Sequence, residues 1–107
     1  PLVRARAGEA AAACEAARML AYKVVDIKNR GDSPGTEASM ARSAVVVADH
    51  AVGDFGMDHL PDMYSGSGHD RYLSHHERAI VSGIASGANE IQLDLVARRH
   101  LDLPKGA

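Results

Sequence analysis

Apolar residues near the start of the chain recur at steps of three and four. From about residue 3 to residue 29 there is no proline and a single glycine, Gly8. The apolar positions that share one helix face there are Ala13, Ala17, Leu20, Val24 and Ile27. This period predicts a long amphipathic helix. Gly31 is a residue type that often ends a helix, and Asp32-Ser33-Pro34-Gly35 predicts a turn.

A second helix is predicted from Thr36 to about residue 55, with Ser33 or Thr36 as its cap. Its Ala44-Val45-Val46-Val47-Ala48 segment puts apolar side chains on nearly every side of the helix. A helix that is apolar all round is usually buried all round. The segment is therefore either a β-branched part of the chain's own core or is partly covered by further chain or another subunit. We favour the second interpretation, because three short helices cannot surround it alone.

The second half of the chain alternates breaks with short helices. Prolines and glycines predict a loop from Leu60 to Gly68, followed by a helix over about residues 71–81. Gly83 and Gly87 then break the chain around Ser86 before a final helix over about residues 89–100. The predicted fold class is therefore all-α.

The final helix carries signals at both ends. Asn89, with Gln92 three residues later, predicts a capping box at the start. The predicted apolar stripe is Ile91, Leu95 and Val96. The cationic residues Arg98, Arg99 and His100 near the end suit the negative end of the helix dipole. Pro104 then prevents the helix from continuing.

This tail resembles the end of the acyl-CoA dehydrogenases, whose last helix typically begins Glu-Gly-Thr-Ser-Glu-Ile-Gln and runs through Ala-Arg to Leu-Gly-Leu-Pro. The matching residues are Gly87, Glu90, Ile91, Gln92, Ala97, Arg98, Leu101, Leu103 and Pro104. Upstream, Glu37-Ala38-Ser39-Met40-Ala41-Arg42 is similar to the Ala-Ser-Met-Ala-Lys that starts the preceding long helix of that family.

The resemblance implies a partial up-down helical bundle, the second half of the family's C-terminal domain. Such a bundle would be incomplete without upstream helices or other subunits. We therefore expect residues 1–107 to be the last part of a longer protein.

The resemblance also implies a reaction, and the chain departs from the family at the residue that would act as the base. In the family a carboxylate removes the α-proton of an acyl-CoA, while the β-hydrogen leaves as hydride to a flavin. In many members this base is the Glu before the motif Gly, and Ser86 occupies that position here. A serine hydroxyl is not a base near neutral pH. Asp94 and Glu90 lie inside the final helix, so we identify no catalytic residue in the chain.

Three explanations of Ser86 stay open. The carboxylate could come from an earlier helix, as in some members of the family. It could come from a partner subunit that has the base, or the chemistry could have been lost. In all three cases the isolated fragment is not expected to be active.

Candidate FAD contacts follow from the same resemblance. The family's Gly-Gly-x-Gly turn follows a Phe and approaches the cofactor of a neighbouring subunit. Phe55-Gly56 match it, but Met57-Asp58-His59 depart from it. After Gly87, the family's Thr-Ser is Ala88-Asn89, which leaves backbone N–H groups at a helix start as donors to an anion such as a pyrophosphate. The implied cofactor-binding residues are Phe55, Gly56, Gly87, Ala88, Asn89 and Glu90, and a plain helix cap is the alternative for the last four.

Composition narrows the possible partners. The 107 residues allow one domain. The formal net charge of −2 and the lack of a basic-aromatic cluster argue against nucleic acid as a binding partner. No apolar run approaches the ~20 residues of a membrane span, and the first residues lack the pattern of a signal peptide. Cys14 is the single cysteine and is expected to be a small buried hydrophobe. A cytoplasmic protein is the resulting expectation.

A histidine cluster is the remaining candidate site. His69, His75 and His76 lie close in sequence to Glu77. Adjacent histidines on a helix diverge by about 100°, so they do not converge on one metal ion. No metal site is predicted.

The leading hypothesis is a C-terminal fragment of a flavin-dependent acyl-CoA dehydrogenase-like protein. The fragment would contribute bundle core, subunit contacts and part of the FAD-side wall. An acyl-CoA and an electron-transfer acceptor would be partners of the parent, a homo- or hetero-oligomer. The alternatives are a base-deficient structural partner subunit of a heteromeric acyl-CoA dehydrogenase, and a helical interaction module unrelated to flavin.

Overall fold

The computed structural model describes residues 1–59, 67–82 and 89–104. Within these ranges the chain forms four helices, α1 (Leu2–Asn29), α2 (Thr36–His59), α3 (Ser67–Ser82) and α4 (Asn89–Arg99). The same ranges contain no strand, so the predicted all-α class is confirmed. Helix α2 packs against each of the other three, and no other pair of helices is in contact within the described parts of the chain.

Helix α1 packs along α2 through the stripe of small and apolar residues that its sequence predicts. Ala10 and Ala17 are buried, at 7% and 8% exposed, while Leu20 and Val24 are half-buried. Cys14 lies outside this stripe and is exposed, so its predicted burial is wrong. The physical reason is that α1 contacts a single helix, which covers only a narrow face.

The end of α1 has the geometry that its glycine predicts. Gly31 adopts φ +83°, in the left-handed region. Its N–H donates to the Lys28 carbonyl at 3.0 Å, and the Asp32 N–H donates to the Ile27 carbonyl at 3.1 Å. These two bonds form a Schellman motif, which satisfies carbonyl groups that the helix itself leaves without donors.

Helix α2 is buried on one side and open on the other. Val46 and Ala48 are 6% and 7% exposed, whereas Val45 and Val47 are 38% and 58% exposed. The described chain therefore covers only part of the apolar segment. The helix also continues to His59, past the predicted end near residue 55. Met57, Asp58 and His59 replace a glycine-rich turn with residues that a helix tolerates.

Helix α3 runs antiparallel to α2. Ser82 contacts Arg42, and Ala79 contacts His50, so positions fall along one helix as they rise along the other. The helix begins at Ser67, four residues before the predicted start at Arg71. Gly68 suggested a loop, but a Ser followed three residues later by Asp70 is a favourable helix start. The rest of the predicted loop, residues 60–66, lies outside the described ranges.

Helix α4 turns the predicted stripe inward only in its second half. Ile91 is 58% exposed, so its assignment to the buried stripe is wrong, while Leu95 and Val96 are half-buried. The half-buried residues nearer its start are Asn89 and Gln92, so a mixed polar and apolar face meets α2. Thr36 begins α2 and His100 directly follows α4, and Thr36 Oγ1 lies 3.1 Å from His100 Nδ1.

The core is made of small side chains. Its buried apolar residues are Ala10, Ala17, Val46, Ala48 and Ala79. Small residues let helices approach closely, but each removes little apolar area from water, at about 25 cal/mol per Å². Large side chains are left outside: Met19, Ile80 and Leu101 are 59–61% exposed. No helix in the described ranges has the length and apolar character needed to cross a bilayer.

The last residues of the described chain also adopt a left-handed conformation, but without glycine. Asp102 has φ +54°, and the Leu103 N–H donates to the Ala97 carbonyl at 2.8 Å. The resembled Leu-Gly-Leu-Pro pattern has glycine at this position. A side chain raises the energy of this conformation, whereas glycine adopts it readily.

We predict that exchanging the residues at these two helix ends has opposite effects. Asp102→Gly should raise the free energy of unfolding by about 0.5 kcal/mol, and Gly31→Asp should lower it by about 1 kcal/mol. Urea denaturation followed by circular dichroism measures both. A loss of stability in Asp102→Gly would show that the aspartate contributes more than its backbone strain costs.

Candidate functional site

Four predicted cofactor-binding residues, Gly87 to Glu90, fall in sequence at the start of α4 and in the segment that precedes it. Ser86, Gly87 and Ala88 fall outside the described residues. The helix ends on either side of this segment are described: Ser82 ends α3, and Asn89 begins α4. The described part of the candidate site is therefore the start of α4.

Asn89 does not make the predicted cap. It is the first residue of α4, and its buried Oδ1 has no hydrogen-bond partner within the described structure. The N–H groups of the first helical turn have no partner inside the helix itself. The start of α4 therefore combines backbone donors with a buried side-chain acceptor, a set suited to a polar ligand that carries both acceptors and donors. Glu90 is exposed beside it.

Phe55 and Gly56 lie near the other end of α2, inside the helix. Phe55 is half-buried, and its ring centroid lies 5.1 Å from that of His59, one turn later. Gly56 is buried, and its N–H is used within the helix. Phe55 borders a cleft of about 210 Å³ between α1 and α2, which Arg6 and Glu9 also line.

No hydrogen bond, ion pair or ring contact links Phe55 or Gly56 to Asn89 or Glu90 in the described structure. Ser82, where α3 ends, is bound to Arg42, which precedes Phe55 by thirteen positions on α2. At 1.5 Å per residue this is about 20 Å along the helix. The described members of the predicted cofactor set thus form two groups with no contact between them, Phe55 and Gly56 on α2 and Asn89 and Glu90 on α4.

A second cleft, of about 260 Å³, lies between α2 and α3. It is lined by His50, Gly53, Asp54, His76, Ala79 and Ile80. The helices approach closely here, since a Cβ placed on Gly53 would lie 3.6 Å from His76 Nδ1. Neither Arg42 nor His50 was predicted from the sequence to be a site residue. Their spacing of eight places them on the same side of α2, but many pairs share such a spacing, so the signal is weak.

Charged and histidine side chains also lie on α3 and α4. Asp94 pairs with Arg98 across one turn, with 2.7 Å between carboxylate oxygen and guanidinium nitrogen. His75 and His76 are half-buried, and within the described residues no three metal-ligating side chains converge. His69 belongs to a part of α3 whose side chains are not described.

Comparison with known proteins identifies one family. The family model for the C-terminal domain of acyl-CoA dehydrogenases matches residues 1–101. Searches of curated proteins and of solved structures gave no significant match. The matched region contains all four helices and both groups of candidate cofactor residues.

Proposed function

The chain belongs to the acyl-CoA dehydrogenase family, and on that basis we propose that it is the C-terminal helical segment of a flavin-dependent enzyme. The parent would oxidise an acyl-CoA thioester across its α and β carbons as a cytoplasmic oligomer. When bound, FAD supplies the acceptor for the β-hydrogen. The observation that carries this proposal is the family match over residues 1–101.

The start of α4 supports a role in holding FAD. Asn89 presents a buried Oδ1 that lacks a hydrogen-bond partner within the described residues. A buried acceptor without a donor costs about 1–3 kcal/mol, so a ligand that supplies the donor would be bound with that gain. The N–H groups of the same turn and the helix dipole favour an anion such as the pyrophosphate of FAD.

The resemblance of Phe55-Gly56 to the family's turn supports an oligomeric parent. In the resembled family, the turn after the Phe approaches the cofactor of a neighbouring subunit. We propose that Phe55 and Gly56 serve the partner subunit's FAD, whereas residues 87–90 serve the chain's own. The N–H of Gly56 is engaged in α2, so Phe55 would contribute an apolar contact there.

Exposed apolar side chains support the proposed bundle and subunit contacts. Val47 on α2, Ile80 on α3 and Ile91 on α4 are each 58–61% exposed. Large apolar groups on all three helices would be buried by upstream helices or another subunit. Family membership also favours this function over a helical interaction module unrelated to flavin.

We expect the full-length protein that carries this chain to bind FAD and to depend on Asn89. Asn89→Leu keeps the size of the side chain and removes the acceptor, so the Kd for FAD should rise roughly tenfold, the effect of losing one hydrogen bond in a buried site. Quenching of flavin fluorescence measures the Kd. Gln92→Leu, one turn later on the same face, is the matched control and should bind as the unaltered protein does. A folded oligomer that takes up no added FAD would contradict the proposal.

A base-deficient partner subunit is the second candidate, and Ser86 is the observation that favours it. If the pocket is intact and lacks only its base, Ser86→Glu should raise acyl-CoA turnover by a factor of about 10²–10⁴, the range of general-base contributions. Reduction of an artificial electron acceptor measures the turnover. Ser86→Gln has the same shape without a base and should stay inactive. Unchanged turnover in Ser86→Glu would instead favour a carboxylate elsewhere in the parent or lost chemistry.

A further inference from the structure

The last turn of α3 depends on hydrogen-bond donors from another helix. The last four carbonyl groups of an α-helix have no partner within it, and here they belong to residues 79–82. The side of this turn that carries Ala79 faces α2, since a Cβ placed on Gly53 would lie 3.8 Å from the Ala79 Cβ. Ala79 is 4% exposed, so water cannot reach this side freely. Donors for the carbonyl groups on this side must therefore come from α2.

Helix α2 supplies two such donors. The Arg42 guanidinium donates to the Ser82 carbonyl. His50 Nε2 lies 2.7 Å from the Ala79 carbonyl oxygen, and because that oxygen only accepts, Nε2 carries the proton. The Ser82 hydroxyl also donates to the Ala79 carbonyl, at 2.9 Å. The first and the last of the four carbonyl groups thus both have a donor from α2.

The charge of Arg42 also fits this position. The C-terminal end of a helix carries a partial negative charge, and cations near it are stabilising. The last turn of α3 contains no basic residue of its own. Arg42 therefore brings to α3 the cation that α4 provides for itself with Arg98 and Arg99.

Apolar packing contributes little to holding this half of α3. Among its described side chains, those of residues 74–82, Ala79 is the single buried one. Ile80 and Val81 are 61% and 52% exposed. His75 Nε2 is buried without a hydrogen-bond partner within the described residues, which lowers the stability of the docked helix further. The hydrogen bonds from α2 are therefore the main attachment described for this half.

Space remains beside these hydrogen bonds. The cleft of about 260 Å³ between α2 and α3 is lined by His50 and Ala79, the two partners of one of the bonds. Asp54 and Ile80, one from each helix, line it with exposed side chains. The two helices can therefore part along this cleft without breaking a dense apolar core.

We infer that Arg42 and His50 form a polar latch, a conformational device that holds the C-terminal half of α3 (residues 74–82) on α2 and permits its local release. When both hydrogen bonds break, the carbonyl groups of Ala79 and Ser82 exchange their α2 donors for water, and the cleft opens to solvent. Helix α1 keeps its own contact with α2, so the release is local. The latch involves only α2 and α3 and is independent of the proposed flavin function.

Local release is measurable because the released half of α3 does not stay helical. It is shorter than the ~12–15 residues below which isolated helices are marginal in water. The amides of residues 78–82 donate to carbonyl groups one turn earlier within α3, so they lose these bonds when the released half unwinds. Their hydrogen exchange therefore reports the fraction of molecules in which the latch is open.

The experiment measures hydrogen exchange of the amides of residues 78–82 in the full-length protein. Arg42→Met removes the donor and the charge, so exchange should accelerate at least about tenfold, the factor for losing a hydrogen bond to a charged group. His50→Phe keeps a ring without the donor and should accelerate exchange roughly fivefold. Arg42→Lys and His50→Gln each keep a donor, so each should accelerate exchange less than the variant that removes the donor at the same position.

Arg30→Met is the matched control, since Arg30 follows the end of α1 but pairs with Asp26 on the surface. It should leave exchange at residues 78–82 unchanged. In Arg42→Met and His50→Phe, the amides around Ala17 in α1 should also keep their exchange rate. Unchanged exchange at residues 78–82 in both variants would overturn the inference. Equal acceleration in α1 and α3 would overturn it as well, because Arg42 and His50 would then stabilise the bundle as a whole.

Discussion

The close packing of three helices on α2 is the constraint on which the rest of the structure depends. α1, α3 and α4 each contact α2, and no contact between them replaces it within the described residues. Such packing requires small side chains at the contacts. Ala10 and Ala17 of α1, Ala48 of α2 and Ala79 of α3 meet this requirement. The contacts of α1 and α3 with α2 thus follow from where the chain places its alanines, whereas α4 meets α2 through half-buried residues only.

The same alanines limit the stability that the chain can obtain alone. Apolar burial contributes in proportion to area, and an alanine has little area to bury. The large apolar residues instead remain at the surface, with Val47, Ile80 and Ile91 among them. A bundle with this distribution is well suited to be one part of a larger assembly, as the family's C-terminal domain is in the function we propose. The polar contacts of Arg42 and His50 then matter more than they would in a large apolar core.

Features set by local sequence could be predicted, and features set by a tertiary partner could not. Gly31 determines its own helix end because few other residues adopt its backbone conformation readily, and the predicted end of α1 is confirmed. Ile91 was assigned to a buried face by periodicity and Cys14 was expected to be buried from its residue type, but burial depends on how wide a face the neighbouring helix covers.

The predictions for the candidate site divide in the same way, with local motifs informative and tertiary contacts not. The motif around Glu90 predicted the family, which the match over residues 1–101 confirms. The contacts of Arg42 with Ser82 and of His50 with Ala79 join residues forty and twenty-nine positions apart, and no local pattern encodes them. Asn89 was predicted to cap its helix, but the fold buries its Oδ1 without a partner within the described residues.

The most direct test of the role of α2 compares Val46→Ala with Val47→Ala. The two residues are adjacent in the middle of α2, so the change in helix propensity cancels, and only their burial differs, at 6% against 58% exposed. Urea denaturation of the 107-residue chain should show Val46→Ala to be less stable than Val47→Ala by about 1.5 kcal/mol, the value of two buried methyl groups. Equal losses of stability in the two variants would contradict a bundle built on one face of α2.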